Sequence, residues 1–318
     1  MGKASRTKRD GSTRRERIAA QQAAARKAEI RNKVLMFSGV VVVIIAVVVA
    51  FVVSKTNSKP PASTAGGVSN GPTGTALSSV VTDTTSVPAS TLNTVGAGSI
   101  AAGGASGFPT VVKGATPLTS GGKPEVLYMG AEYCPYCAAE RWAMVVALSR
   151  FGTFSGLSTV HSGNNTGEVY PNTPTWTFYK STYTSKYLTF TPVELQTNIP
   201  TQTSQGASYT NLQTATSAQQ ALLTKYDAPP YVSSSATGSI PFIDFGNKYV
   251  LTGATYSPSV LAGKSWSEIA AALKDPTNPI AQAVDGTANY LTATICKVTG
   301  NQPASACTPA VKQLEAKI

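Results

Sequence analysis

The chain has 318 residues, 42% hydrophobic side chains, four cysteines and a single histidine, enough for one or two globular domains once tails are set aside. Its formal charge of +11 is concentrated at one end: Met1 to Lys33 hold eleven Lys or Arg against three Asp or Glu, whereas from Ser54 onward fifteen basic residues face twelve acidic ones. The nearly neutral body offers no broad phosphate-binding face, so no nucleic-acid partner is expected. No cofactor is expected either.

Residues 1–33 read as a basic cytoplasmic tail. The next twenty, VLMFSGVVVVIIAVVVAFVV (Val34 to Val53), carry no charged side chain. At about 1.5 Å per helical residue the run spans roughly 30 Å, so a transmembrane helix in a lipid bilayer is expected. A cleaved signal peptide would have a shorter apolar core, and no A-x-A-like site follows Val53. With the basic flank on the N-terminal side, the positive-inside tendency implies a single-pass plasma-membrane protein, its N-terminus cytoplasmic and its C-terminal domain extracytoplasmic. Residues 54–110 are Ser, Thr, Gly, Ala and Pro with few charges and aromatics, which predicts a disordered linker unable to offset its ordering entropy.

Residues 111–318 read as one α/β domain. The short apolar run EVLYMGA predicts a buried strand ending at Gly130. After EYCPYC, the run AAERWAMVVALSRFG has Trp142, Val145, Val146 and Phe151 at helical spacing and Gly152 as a stop. Gly156 to His161 predicts a second strand, and the Thr- and aromatic-rich segment after Pro174 predicts extended structure. Residues of about 190–235 read as an insertion carrying a helix through Leu212, Ala215, Gln219, Leu222, Leu223 and Tyr226. Then two short strands, Pro241 to Phe245 and Lys248 to Leu251, flank a Gly246-Asn247 turn. Ser265 and Glu268 form a capping-box pattern ahead of a helix, and the C-terminus is helical in pattern around Cys296 and Cys307.

Cys134 and Cys137, three positions apart at a strand-to-helix corner, carry the clearest chemistry. At a helix N-cap, unpaired amides and the helix dipole favour an anion, which lowers a thiol pKa. Pro135 suits the first helical position, and Cys137, one turn inward, is placed to attack a mixed disulfide on Cys134. Two other readings stay open. Zinc asks for four N or S donors, but the remaining cysteines lie far downstream with ten residues between them, and His161 is the only histidine. A purely structural bridge is the second alternative. Cys296 and Cys307 enclose a Gly-Pro loop, and a structural disulfide there is worth roughly 2 to 3 kcal/mol by loop closure; a relay to Cys137 is the alternative role. His161 reads as an exposed polar strand end.

EVLYMGAEYCPYCAAERW resembles the strand, active-site corner and first helix of the thioredoxin superfamily, and SIPFIDF resembles its cis-proline loop before a hairpin. With YTSKYLTFTPVEL, the chain from about Val111 to Ile318 is most similar to the uncharacterised thioredoxin-like family called domain of unknown function 929. The resemblance implies a thioredoxin-like fold with an inserted helical segment, a redox pair at Cys134 and Cys137, and substrate contact at Ile240 and Pro241. The sequence departs from reducing thioredoxins at Tyr128, where those proteins carry a buried Asp that accepts the resolving thiol's proton. Glu132 and Glu140 flank the pair as candidate substitutes for that acceptor, the alternative being surface carboxylates of the kind common beside a helix start for dipole reasons alone.

These readings combine into a membrane-anchored, extracytoplasmic thiol-disulfide oxidoreductase that oxidises or isomerises secreted or envelope protein thiols and needs a membrane redox partner to reset its CxxC. The competing expectation is a non-catalytic cell-surface binding module with a structural CxxC disulfide.

Overall fold

The computed structural model of the protein describes residues 66–102, 109–165, 167–203 and 206–318. Two helices come first, α1 (Gly74–Thr85) and α2 (Ala89–Val95), followed by a 3-10 turn at Gly98–Ala102. Strands β1 (Thr110–Val111), β2 (Thr119–Ser120) and β3 (Lys123–Gly130) lead into α3 (Pro135–Leu148). A run of strands comes next: β4 (Gly152–Ser155), β5 (Ser158–His161), β6 (Pro174–Thr177), β7 (Thr182–Ser185), β8 (Thr189–Glu194), β9 (Gln196–Thr203) and β10 (Gly206–Asn211). Helix α4 (Ser217–Tyr226), hairpin strands β11 (Phe242–Phe245) and β12 (Tyr249–Thr252), and helices α5 (Trp266–Ala272), α6 (Pro279–Val298) and α7 (Pro309–Glu315) complete the chain.

The central sheet runs in the order β1-β12-β11-β3-β2, with β8 also on β3. The β3–β8 pairing is parallel and the others antiparallel. Strand alternation sends Val126 and Tyr128 to one face and Leu127 and Met129 to the other. The first face packs on α3 and α6 and the second on α4, so β3 is covered on both sides and reads as a continuous apolar run. Between β11 and β12, Gly246 and Asn247 take φ of 67° and 56°, the left-handed pair a tight hairpin requires, and the Asn247 amide donates to Asp244 Oδ1 at 2.6 Å. Side chains also tie β6 to its neighbours: the indole of Trp142 on α3 donates to Pro174 O at 2.9 Å, and that of Trp266 to Thr175 O at 2.7 Å. The capping box predicted at Ser265 and Glu268 is formed at the start of α5.

The expected fold class is corrected to a mixed α/β arrangement in three respects. First, much of the supposed linker is ordered: α1, α2 and the 3-10 turn bury Val80, Leu92, Val95 and Ile100. Their few apolar side chains have little to pack on locally and find distant partners, α1 on α5 and α3, and α2 with the 3-10 turn on α6, where Asn289 Nδ2 donates to Leu92 O and Gly96 O, both at 2.8 Å. Second, the segment near 190–235 is not a helical insertion. It begins with β8, a central-sheet strand, continues through the β9–β10 hairpin, and only then forms α4, which starts at a Thr216–Gln219 capping box.

Third, the transmembrane helix and the single-pass plasma-membrane placement are corrected. Among the described residues no helix is long and apolar enough to cross a membrane, and Val34–Val53 lies outside them, as does the basic tail. The twenty-residue α6 is long enough but is the domain's core helix, with buried Asp285, Asn289 and three threonines along it.

Candidate active site at the Cys134 corner

Where β3 ends at Gly130, the chain turns through Ala131 to Tyr133 and enters α3 at Pro135 with Cys134 as its N-cap. Proline fits here because its missing N–H has no intrahelical partner in the first turn anyway. The Cys137 amide donates to Cys134 Sγ at 3.3 Å, so the sulfur takes the place of the usual capping oxygen. On the other side the Cys134 thiol meets Ile240 O at 3.6 Å, and the Ile240–Pro241 bond is cis. The structure thus brings Cys134, Cys137, Ile240 and Pro241 together. Both thiols are free; Cys134 keeps 6% of its surface exposed and Cys137 none. Between them, Tyr136 projects outward with its ring edge-on to Tyr170.

The two sulfurs differ in electrostatic setting. Burial pushes the Cys134 thiol up, but the Cys137 thiol and amide, helped by the Arg141 guanidinium and the Tyr136 amide, outweigh it and leave Cys134 below an ordinary thiol. Burial and the neighbouring Cys134 hold Cys137 well above one, with Arg141 opposing. The two thiols are therefore distinguished by charge as well as by exposure.

Arg141 and its partner were not singled out from the sequence. The guanidinium lies fully buried one helical turn past Cys137 and forms a two-pronged pair with Glu194 at the end of β8, Nε to Oε1 at 2.9 Å and Nη2 to Oε2 at 2.6 Å. Glu194 also accepts from the Phe178 amide at 3.3 Å, and Arg141 sits 5.8 Å from the Tyr128 ring centre. A charged pair inside a helix buried almost all round was the available signal, since such residues are rarely enclosed without a partner.

The flanking carboxylates are buried, contrary to the surface alternative. Glu132 accepts from Thr177 Oγ1 at 2.6 Å and from the Gly67 amide at 2.7 Å, and burial raises its pKa despite those bonds. Glu140 accepts from the Thr255 amide and hydroxyl, and burial pushes it up to about 7. Tyr128 is wholly enclosed, and burial holds its phenol well above the usual range. It offers no carboxylate to Cys137. His161 is half-buried, its Nδ1 lying 2.8 Å from Ser162 O and 3.3 Å from Asn198 Nδ2. Cys296 and Cys307 are bonded to each other with Cα atoms 5.7 Å apart, joining the end of α6 to the turn before α7.

The sequence model of one family, described as a domain of unknown function (DUF929), matches residues 110–297, more than half of the chain. The chain belongs to the DUF929 family. The matched span of this DUF929 domain runs from β1 to the end of α6 and holds Cys134, Cys137, Arg141, Glu194, Pro241 and Cys296, while Cys307 falls beyond it. A second model, an inhibitor of host cell division protein domain, is similar to residues 12–64, which lie outside the described residues. No curated protein and no solved structure matches the chain.

Proposed function

We propose that this DUF929 domain is a thiol-disulfide oxidoreductase that donates a disulfide from Cys134 and Cys137 to protein dithiols. The observation that carries the reading is the asymmetry of the pair: a slightly exposed, N-capping Cys134 with a lowered pKa beside a sealed Cys137 with a raised one. With the pair oxidised, a substrate thiolate attacks Cys134 Sγ, the sulfur with exposed surface. The Cys134–Cys137 bond breaks, and its electron pair leaves on Cys137 Sγ, which takes up a proton. A second substrate thiolate then attacks the substrate sulfur of the mixed disulfide, closing the substrate disulfide and releasing Cys134 as a thiolate. Two electrons have passed from substrate to protein, and a redox partner bearing a more oxidising disulfide restores the pair.

The direction follows from leaving-group chemistry. A thiol of low pKa leaves faster, which favours the second step, where Cys134 is released, and stabilising the reduced form through the Cys134 thiolate makes the couple more oxidising. In the step toward substrate Cys137 gains a proton instead of losing one, so Tyr128 in place of a carboxylate is no obstacle there; the proton leaves again only when the partner's disulfide restores the pair. Ile240, whose carbonyl lies beside Cys134, supplies main-chain groups against which a substrate strand can lie.

The test is the reduction potential of the Cys134/Cys137 couple together with oxidative refolding of a reduced, unfolded protein, for the chain and for Cys134→Ser. The expected potential lies above roughly −200 mV, with refolding activity lost in the variant. A potential below about −300 mV without activity overturns the reading and leaves a binding module with a structural bridge.

A further inference from the structure

Residues 66–69 lie across the surface beside the carboxyl end of β3 and are held through the main chain of Gly67 and Val68 and through the hydroxyl of Ser69. The Gly67 amide donates to Glu132 Oε2 at 2.7 Å. Asn198 on β9 reads both sides of the next residue: its Oδ1 accepts the Val68 amide at 2.7 Å, and its Nδ2 donates to Val68 O at 2.8 Å. One residue on, the hydroxyls of Ser69 and Thr159 meet at 2.9 Å. The Val68 side chain, by contrast, is 56% exposed and is not read at all.

We propose that Glu132 and Asn198, with Thr159 on the hydroxyl that follows, form a polypeptide-binding site that reads main chain at two successive residues, with Gly66–Ser69 as its resident occupant and an extended glycine-containing strand of another polypeptide as its exchangeable ligand. Three observations carry this. The reading groups are held from behind: Thr177 Oγ1 fixes the other oxygen of Glu132 at 2.6 Å, and Asn198 Nδ2 also donates to His161 O at 2.8 Å. Both side chains are almost wholly covered with residues 66–69 in place, Glu132 at 0% and Asn198 at 3%, so a main chain lying in the seat bonds to groups shielded from water. The seat is also selective, since a Cβ on Gly67 would lie 2.3 Å from Glu132 Oε2 and 2.4 Å from Asn198 Oδ1. Only glycine fits that position, while the next side chain points to solvent and is unrestricted.

Glu132 stands two residues before Cys134 in the same turn, so a strand seated here lies at the end of the sheet that bears the thiol pair. That such a strand is a redox substrate rests on the function proposed above; the binding itself does not.

The probe is the pentapeptide Gly-Gly-Val-Ser-Asn, the sequence of residues 66–70, 15N-labelled at valine and followed by NMR with the full chain and its Gly67→Val variant. The variant's own strap no longer fits, so its seat is open, and it is expected to bind the peptide about tenfold or more tightly than the unaltered chain, the scale of one charge-assisted hydrogen bond. A second peptide, Gly-Val-Val-Ser-Asn, needs no further protein variant and is expected to bind the Gly67→Val chain at least about tenfold more weakly than the first. Equal affinity for the two peptides, equal affinity of the two chains, or no binding to the variant overturns the proposal. Exchange of the unaltered chain with a small aliphatic disulfide is measured alongside: its absence counts against the oxidoreductase reading and leaves the peptide result standing.

Discussion

The chain contains two cysteine pairs, and the fold treats them in opposite ways. Cys296 and Cys307 are bonded, and their bridge closes a loop between two helices. Cys134 and Cys137 are free, share one helical turn, and sit between a helix N-terminus, the carbonyl of Ile240 and a buried guanidinium. Nothing in the type of residue separates the pairs. The difference lies in what surrounds each sulfur: one pair removes conformational freedom, while the other is held where one thiol ionises more easily than its neighbour.

Removing the reactive sulfur gives the largest expected effect. Cys134→Ser lowers disulfide exchange by at least about a thousandfold, the scale seen when a nucleophile is deleted, whereas Cys296→Ser with Cys307→Ser leaves the exchange rate per folded molecule within a few-fold. Stopped-flow exchange with a small disulfide checks both, and loss of exchange in the second variant would mean that the bonded pair is a relay and erase the distinction. Next in size is the charge beneath the corner. Arg141→Met strands Glu194 inside the protein and is expected to cost about 3 to 5 kcal/mol in denaturant unfolding, much of it recovered when Glu194→Leu is added. In both backgrounds thiolate absorbance against pH should move the Cys134 transition upward, because the guanidinium that helps hold it down is gone.

Deleting the Cys296–Cys307 bridge is expected to cost about 2 to 3 kcal/mol, measured by the same unfolding experiment in the double serine variant. The smallest effects come from carboxylates buried in the helix of each pair, Glu140 on α3 and Asp285 on α6. Burial pushes them up to about 7 and about 8, from ordinary values of 4.5 and 3.8. The folded state therefore holds protons that the unfolded chain has released, and stability falls as pH rises from roughly the ordinary value through the raised one. Glu140→Gln and Asp285→Asn are each expected to flatten the decline in unfolding free energy by about 1 to 3 kcal/mol across its window. An unchanged slope in either variant places the pH dependence elsewhere, among Glu132, which burial also raises, and Asp227 and Asp244, both pushed up to about 7 by burial.

What could be read in advance was what the chain signals locally. The apolar run before Gly130, the proline after Cys134, the Gly246-Asn247 turn and the Ser265–Glu268 box each lie within a few residues, and each forms where expected. Long-range partners were not legible. Leu77, Val80 and Val81 have helical spacing, but their burial depends on a core whose main helix begins nearly two hundred residues later. The same limit hid β8, whose side chains do not reveal a parallel pairing with β3, and Arg141, whose charge gives no hint of Glu194 fifty-three residues on. Asn198 had no signal at all: one amide in a polar strand becomes a recognition group only because Glu132 and residues 66–69 meet it.

Trp142 and Trp176 lie with ring centres 5.1 Å apart, and the third indole of the chain, Trp266, is tied to the same strand. Trp142 rides on the helix that begins at Cys134, two turns from the sulfur. Any adjustment of that helix when the two thiols join changes the surroundings of this cluster, so the domain carries its own fluorescent gauge of thiol state, legible without a dye or a label.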